Sequence, residues 1–484
     1  MKLTRHLAGY APVNIASGLA AFGGVYVFTR LLGPEEYGRY ALCLSIMALV
    51  HTLTLTWVEA ANFRFHGQAS ARDRLPEHFR TGISLVWRSL LLAMAVWAVL
   101  FWFLRDVTGY AEILPWLVAL MPLSTLVKFA LESHRAGQRV ARYARVQTAQ
   151  TLLAFGLGAL LAWQTGLGAA APFAGLFVAA AVFAAMEAGF VFRSASGGRV
   201  DPASQRAWAR YGLPIAAALA LDILLSAADR FLIAAFLGEA AVGAYAAGYG
   251  VADKTVLLIC AWAAMAGAPL MMAAYEARGP QAAADEGRGL VRTLLLFGMP
   301  AAAGLALVAD PLSRAMIGED LREAARPIIP WIACAGLLNG LLIHYASEAF
   351  QLARRTALRA MLMIVPAALN ILLNLALLPM LGLMGAVYAT VISYGAGVVL
   401  LGLVGHRLVP LAWPVGDAGR IALACLAMWP AIAIVPTMAA WPELLLKAMA
   451  GALAYGMVAL ALDAGGARGF LKTLRGASAR GLNA

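Results

Sequence analysis

Charged residues are scarce in this chain of 484 residues. Asp, Glu, Lys and Arg make up 13% of the sequence, whereas soluble globular proteins carry about 25%. Apolar residues reach 62%, and the mean hydropathy is +0.78. A soluble protein of this size needs more polar surface than this composition supplies. The sequence therefore excludes a cytosolic enzyme, a nucleic-acid-binding protein and a secreted disulfide-rich protein, and it predicts an integral membrane protein.

Cysteine and histidine are also few. The four cysteines each lie in an apolar run without CxxC or metal-ligand spacing, and the seven histidines form no HxxxH or HExxH motif. We interpret the cysteines as small packing residues. The longest predicted outer loop, 310–326, contains no DxD motif. We therefore predict no enzyme activity, no metal site and no resident cofactor.

Long apolar runs follow one another along most of the sequence. Because about 20 apolar residues cross a bilayer as a helix, their spacing predicts an all-α membrane protein with about 14 transmembrane helices. The predicted spans are 9–29, 40–61, 82–104, 113–131, 147–164, 171–192, 213–237, 242–270, 290–309, 328–349, 360–379, 384–405, 421–438 and 443–462.

The net charge of +12 is distributed unevenly between the predicted loops. Segments on one side of the 14 spans contain 26 Lys and Arg residues, and those on the other side contain 6. Cytoplasmic loops of membrane proteins are enriched in Lys and Arg. The charge pattern therefore predicts that both termini are cytoplasmic, and it explains the positive charge without a nucleic acid.

The chain repeats itself at two offsets. Segment 32–41 (LGPEEYGRYA) aligns with 237–246 (LGEAAVGAYA) at an offset of 205, and at an offset of 216 Glu132, Arg139 and Gly166 match residues of the same type. An offset of six helices preserves orientation, as in transporters built from parallel repeats. We therefore predict an N-lobe (1–192), a cytoplasmic linker (193–212), a C-lobe (213–407) and a terminal helix pair with a basic cytoplasmic tail (408–484).

The chain contains the segments TRLLGPEEYGRY, DRFLI, GAYAAGY and GLMGA, which resemble segments of Wzx-type polysaccharide flippases. Segment 29–40 (TRLLGPEEYGRY) is similar to the first extracytoplasmic turn of that family, and 382–386 (GLMGA) to its turn between helices 11 and 12. Segments 229–233 (DRFLI) and 243–249 (GAYAAGY) resemble its seventh helix and the start of its eighth.

The resemblance implies the polysaccharide transporter branch of the MOP exporter superfamily. Two bundles would face a central cavity and alternate between inward-open and outward-open states. The implied substrate is an undecaprenyl-diphosphate-linked oligosaccharide, flipped from the cytoplasmic to the periplasmic leaflet of the inner membrane for O-antigen, capsule or exopolysaccharide synthesis. Membrane lipids and polysaccharide polymerase or export proteins are the implied partners.

Five basic residues lie inside predicted spans, where a charge costs about 2.5–3.5 kcal/mol. Lys128 and Lys447 lie near helix ends, and we interpret both as snorkelling to the interface. Arg88 lies deeper in the third span, and snorkelling and cavity lining are both consistent with its position. The other two, Arg230 and Lys254, lie in the seventh and eighth spans.

Those two spans carry polar stripes. The first contains Asp222, Ser226 and Asp229, and the second contains Tyr245, Tyr249 and Asp253. Ion pairs between the two helices would explain them. A water-filled cavity is the alternative that we favour, in which Arg230, Lys254 and Arg88 bind the diphosphate and the carboxylates bind a coupling H⁺ or Na⁺.

In the first two spans, Asn14 shares a helix face with Ser17, and Glu59 shares one with Thr52 and Thr56. Such small polar residues commonly serve helix packing. The resemblance places helices 1, 2, 7 and 8 around the cavity, and we therefore include Asn14 and Glu59 among the candidate cavity residues.

Three other functions compete with a flippase. An ion-coupled multidrug exporter of the same superfamily would need an acidic or aromatic cavity for organic cations. A membrane-embedded glycan polymerase or glycosyltransferase would need a sizeable extramembrane segment for its chemistry. An ion channel would not explain two unequal lobes with a set of cations suited to a diphosphate.

Overall fold

A computed structural model of the protein describes residues 2–105, 107 and 109–469; the side chains of residues 2–9, Ser226 and Ala266 lie outside this description. All regular secondary structure within these ranges is helical. The predicted basic tail is described only as far as Gly469. The helices pack into two units, which we call unit 1 (Met1–Gly243) and unit 2 (Ala244–Ala484).

Unit 1 contains eight helices and the first turn of a ninth. They are α1 (Lys2–Leu31), α2 (Pro34–Thr54), α3 (Thr56–Ala71), α4 (Leu75–Leu104), α5 (Leu114–Ala136), α6 (Val140–Gln164), α7 (Ala171–Ser194) and α8 (Pro202–Leu237). Helix α9 (Glu239–Arg278) begins in unit 1 and continues into unit 2.

Unit 2 contains the remaining helices, several of them short. They are α10 (Pro280–Leu307), α11 (Ala309–Met316), α12 (Glu319–Ala325), α13 (Ile328–Leu341), α14 (Glu348–Leu352), α15 (Thr356–Leu381), α16 (Leu383–His406), α17 (Val415–Leu426), α18 (Met428–Ala433) and α19 (Ala440–Ala461). A π-helical turn, Leu342–Ala346, joins α13 to α14.

Thirteen helical segments in the described ranges are long and apolar enough to cross a membrane. Helices α2 and α3 pass the same test together and are bent by 50° relative to each other, which gives up to 14 spans. The chain is therefore a multi-pass membrane protein, and the prediction of about 14 helices in an all-α fold is confirmed.

The predicted helix ends are wrong in several places. Helix α3 continues to Ala71 where the sequence predicts a loop, and α8 begins at Pro202 inside the predicted linker. The predicted outer loop 310–326 contains α11 and α12. Hydropathy marks only the part of a helix that crosses lipid, so it misses turns that continue into the polar region.

The start of α8 has a clear local cause. Asp201 accepts hydrogen bonds from the backbone amides of Ala203 and Ser204 at 3.0 and 3.3 Å, and Pro202 occupies the first helical position. An aspartate N-cap followed by proline is a strong helix start. Helix α8 then packs against α2, α3 and α4, so it belongs to unit 1 by its contacts.

Equivalent turns of the two units share an unusual backbone conformation. Gln138 precedes α6 with φ +57°, and Arg354 precedes α15 with φ +55°. Positive φ is uncommon for residues other than glycine, and these two positions differ by the same 216 residues as the sequence repeat. The repeat therefore extends to backbone geometry, although the predicted lobe boundaries stay a prediction.

A buried carboxylate connects three helices of unit 1. Glu187 of α7 is 1% exposed; its carboxylate lies 2.8 Å from His134 Nε2 of α5 and accepts a hydrogen bond from Arg142 Nε of α6 at 2.9 Å. A buried carboxylate needs such partners. Glu187 thus ties together three of the helices that enclose the cavity described below.

Candidate functional site

A cavity of about 450 Å³ lies within unit 1. Helices α1, α2, α5, α6 and α7 line it, and its walls are mostly apolar. This volume falls in the range of about 300–1,000 Å³ that is typical of small-ligand pockets. A few polar side chains in an apolar pocket are the arrangement that fixes a ligand's orientation.

One wall of the cavity is polar because of the spacing of residues on α6. Gln150 and Thr151 follow Gln147 by three and four residues, so all three share a helix face. All three line the cavity, and Gln147 Nε2 donates to Thr151 Oγ1 at 3.2 Å. Because amides both donate and accept hydrogen bonds, this wall can bind hydroxyl and phosphoryl oxygens.

Lys128 of α5 brings a positive charge to the cavity. Its side chain is exposed and lines the cavity together with Ser124, one turn earlier on the same helix. No carboxylate among the described residues lies within 4.0 Å of its Nζ, although it interacts electrostatically with Glu59 and Glu132. Lys128 thus belongs to the cavity lining, and whether it also snorkels to the interface stays a prediction.

The bend between α2 and α3 places a second polar pair within reach of the cavity. His51 lines the cavity from α2, and its Nε2 lies 2.9 Å from Glu59 Oε1 on α3. The pair thus bridges the bend. Glu59 is one of the predicted cavity residues, and its carboxylate lies beside His51 across the bend.

Side chains that bond to the backbone account for the bend at Leu55. Thr54 Oγ1 donates to the Val50 carbonyl at 2.7 Å, and Trp57 Nε1 donates to the Thr54 carbonyl at 3.0 Å. The backbone amide of Val58 donates to the Leu55 carbonyl instead of the Thr54 carbonyl, which would be its acceptor in a regular α-helix. Such competition for backbone carbonyls bends helices without proline.

An ion pair joins the start of α2 to the start of α9. Arg39 Nε donates to Glu239 Oε2 at 2.5 Å, and a Cβ at Gly38 would collide with the Glu239 carbonyl. Because Gly38 has no Cβ, α2 can approach the turn between α8 and α9 closely, and Gly38 belongs to the sequence repeat. Glu239 also affects a neighbouring side chain: burial raises the pKa of the Tyr110 hydroxyl, and the Glu239 carboxylate raises it further.

The first predicted stripe lies on α8 in unit 1. Asp229 is fully buried and Asp222 is half-buried, and both interact with other residues. The side chain of Ser226 lies outside the described residues. Arg230 is half-buried, and its Nη1 donates to Ser45 Oγ of α2 at 2.9 Å. The structure thus brings Arg230 to α2, and it does not place this stripe on the 450 Å³ cavity.

The second predicted stripe lies on α9 in unit 2. Tyr245 lies 3.2 Å from Thr390 and Tyr249 lies 3.5 Å from Tyr394, measured between hydroxyl oxygens. Asp253 is buried, and Lys254, the next residue, is exposed. The tyrosines therefore pack α9 against α16.

The remaining predicted residues lie apart from the cavity. Arg88 on α4 and Asn14 on α1 are exposed, and neither lines the cavity. Lys447 Nζ of α19 lies 2.6 Å from Glu443, whose carboxylate also lies 2.7 Å from Arg314, and the snorkelling of Lys447 stays a prediction.

Sequence reasoning missed the polar residues of α5 and α6. Their signal was present as a Gln-x-x-Gln-Thr run in an otherwise apolar span, one helix after an intramembrane lysine. Amides carry no charge, so they do not stand out in a span as a lysine does. Helix 6 also lies outside the set that the resemblance places around the cavity.

Unit 2 contains a groove of different chemistry. Its volume is about 560 Å³, and it is lined by α9, α10, α18 and α19. The walls are apolar, with Phe297, Pro300, Met428 and Ile432 among them, and Lys447 lies in the lining with its charge paired to Glu443.

Comparison with known proteins identifies the family. A family model described as "Polysaccharide biosynthesis protein" matches residues 27–326, which is more than half of the chain. The chain belongs to the polysaccharide biosynthesis protein family. This membership confirms the resemblance to the polysaccharide transporter branch. No curated protein sequence matches the chain significantly.

Solved structures show the fold of this polysaccharide biosynthesis protein. The lipid II flippase MurJ in an inward closed conformation superimposes with a TM-score of 0.75 at 13% identity, covering 93% of this chain and 98% of MurJ. An inward-facing multidrug resistance MATE family transporter of the MOP superfamily gives 0.63 at 14% identity, covering 81% and 94%. The Vibrio cholerae MATE transporter VcmN in its bent form gives 0.52 at 15% identity, covering 84% and 100%. The fold is therefore the all-helical fold of MurJ and the MATE transporters.

Proposed function

We propose that this protein flips an undecaprenyl-diphosphate-linked oligosaccharide from the cytoplasmic to the periplasmic leaflet, and that it does so by alternating access and without enzyme activity. The observation that carries the proposal is the unit 1 cavity, in which Lys128 lies among amide and hydroxyl groups. Membership of the polysaccharide biosynthesis family and the transporter fold support it.

The cavity suits the polar part of such a substrate. A diphosphate that leaves water must exchange its hydration for positive charge and hydrogen-bond donors. Lys128 offers an ammonium without a close carboxylate, and Thr151 offers a hydroxyl on α6. A charge-assisted hydrogen bond contributes about 1.5–3 kcal/mol, which is roughly one to two orders of magnitude in affinity.

The unit 2 groove suits the lipid part. A polyprenyl chain presents only apolar surface, and burying it is favourable by about 0.8 kcal/mol for each CH₂ group. The groove's lining along α10, α18 and α19 is apolar over nearly its whole length. We assign this groove to the isoprenoid chain.

The predicted polar residues of α8 and α9 belong to the same proposal. Arg230, Lys254 and Arg88 are proposed to attract the diphosphate during transport, and Asp222, Asp229 and Asp253 to bind a coupling H⁺ or Na⁺. The inner membrane as location, cytoplasmic termini and a partnership with a polymerase or export protein complete the proposal.

Deletion of the gene in its native bacterium tests the proposed function. We expect the lipid-linked oligosaccharide to accumulate in the cytoplasmic leaflet and the surface polysaccharide to disappear, with restoration by the wild-type chain. Leaflet location is measured by a membrane-impermeant lectin or glycosidase applied to spheroplasts. Unchanged surface polysaccharide together with increased sensitivity to organic cations would instead favour a multidrug exporter.

A further inference from the structure

Part of the wall of the unit 1 cavity is aromatic. Phe28, Tyr40 and Phe155 line the cavity, with ring centroids 5.4 Å apart for Phe28 and Tyr40 and 6.1 Å for Phe28 and Phe155. Phe155 lies on α6 one turn beyond Thr151, so the aromatic and the amide residues follow each other along one helix. A diphosphate makes no use of aromatic faces, so these rings point to a different ligand group.

Gln150 has hydrogen-bonding capacity that the protein does not use. In the part of the chain that the structure describes, its side-chain amide makes no hydrogen bond to another residue. Gln147, its neighbour on the same face, bonds to Thr151 only through Nε2. Polar groups in a largely apolar site are normally paired with protein, water or ligand. The Gln150 amide is thus available to a ligand that both donates and accepts.

A sugar ring matches this combination of groups. One face of a pyranose carries C–H bonds and packs on aromatic rings, while its hydroxyls donate to and accept from amides. A small organic cation would be repelled by Lys128, and a hydrocarbon would leave the amides without partners. The cavity, at about 450 Å³, has the size of a site for a small ligand.

We propose that the unit 1 cavity is a glycan subsite that binds one sugar ring of the substrate, with Phe155 against the ring face, Phe28 packed edge-to-face against Phe155, and Gln150 and Gln147 on the sugar hydroxyls. The subsite rests on the proposed function only for the source of the sugar. It makes these four residues determinants of which glycan is transported, separately from Lys128, which binds the anionic group.

Binding of free sugars to the purified full-length protein tests the subsite. The probes are methyl glycosides of a hexose, a 6-deoxyhexose, an N-acetylhexosamine and a hexuronate, added at millimolar concentration to protein in nanodiscs. We expect at least one of them to raise the thermal unfolding temperature. Gln150→Ala should weaken its apparent affinity about tenfold, which is the loss of one hydrogen bond of about 1.4 kcal/mol, and Phe155→Leu should also weaken it.

Gln164→Ala is the matched control, because Gln164 is an exposed glutamine at the end of the same helix and does not line the cavity. It should bind the probe like wild type. A second measurement follows thiol labelling of Gln150→Cys in a background without the four native cysteines: the effective glycoside should slow the labelling by a water-soluble maleimide.

The outcomes separate this inference from the proposed function. If no glycoside stabilises the protein, or if Gln150→Ala binds the probe like wild type, the glycan subsite is overturned even when the gene is required for polysaccharide transport. If a glycoside binds and Gln150→Ala weakens it while deletion leaves every surface polysaccharide intact, the subsite stands and the proposed flippase function fails.

Discussion

In both units a non-glycine residue with positive φ turns the chain into a long helix, Gln138 before α6 and Arg354 before α15. The spaces that the two units enclose nevertheless have opposite chemistry. The unit 1 cavity contains a lysine, amides and hydroxyls, whereas the unit 2 groove is apolar and its one lysine is paired with Glu443. Repeated backbone geometry therefore does not bring repeated chemistry, because the side chains that face each space differ.

The largest expected difference between the two spaces concerns their lysines, Lys128 in the unit 1 cavity and Lys447 in the unit 2 groove. We expect Lys128→Ala to lower transport at least tenfold at unchanged membrane level, because it removes the charge-assisted contact that we propose for the substrate. Lys128→Arg should retain more activity. Transport is measured as the rate at which lipid-linked oligosaccharide becomes accessible in the periplasmic leaflet, and the membrane level by immunoblotting.

Lys447→Ala should show the opposite pattern. It leaves the buried Glu443 carboxylate with Arg314 and the Met438 amide as partners, which costs about 1.5–3 kcal/mol of stability. We expect a lower thermal unfolding temperature and a lower membrane level, with transport per molecule retained. Loss of transport at normal level for Lys447→Ala, or loss of level alone for Lys128→Ala, would remove the functional distinction between the two spaces.

The start of α8 in unit 1 has a side-chain cap and the start of α15 in unit 2 does not, and we expect a smaller effect from this difference. Ser204 Oγ donates to Asp201 at 2.6 Å, and this bond, together with the two backbone amides, lowers the pKa of Asp201 below its ordinary value of 3.8. Asp201→Ala should cost about 1 kcal/mol. Arg355 precedes α15 without a side-chain cap, so Arg355→Ala is the control and should leave stability unchanged.

The effect of Asp201 has a defined pH dependence. Because its pKa is lower in the folded state, the carboxylate stabilises the fold above the unfolded-state value of about 3.9 and loses this effect as the pH falls through the folded-state pKa. The difference in unfolding temperature between wild type and Asp201→Ala should therefore be constant from about pH 5 to 7 and shrink below about pH 4. A difference that grows on acidification would contradict the capping role.

The smallest expected effect concerns the repeated turns themselves. Gln138→Gly and Arg354→Gly should each stabilise the protein by up to about 1 kcal/mol, because glycine adopts positive φ without steric strain. Val at either position should destabilise it. Denaturation of each variant is compared with Gln164→Gly. Opposite responses at the two turns would show that their shared conformation has different causes.

Composition and hydropathy alone determined the membrane location, the all-α class and the number of helices, because each span must be apolar wherever it lies in the fold. The charged residues of spans 7 and 8 were found for the same reason, since a charge stands out in an apolar run. The start of α8 at Pro202 was missed although Asp201 is a typical N-cap residue. Hydropathy is averaged over about 20 residues, and such an average does not register a single capping residue.

Only tertiary structure decided which polar residues share a cavity. Lys128, Gln150 and His51 lie on three different helices, and no local pattern relates all three. The bend at Leu55 brings Glu59 to His51, and the fold pairs Lys447 with Glu443. Helix packing determines the distances between these side chains. A single sequence shows the residue types but not which residues become neighbours when the helices pack.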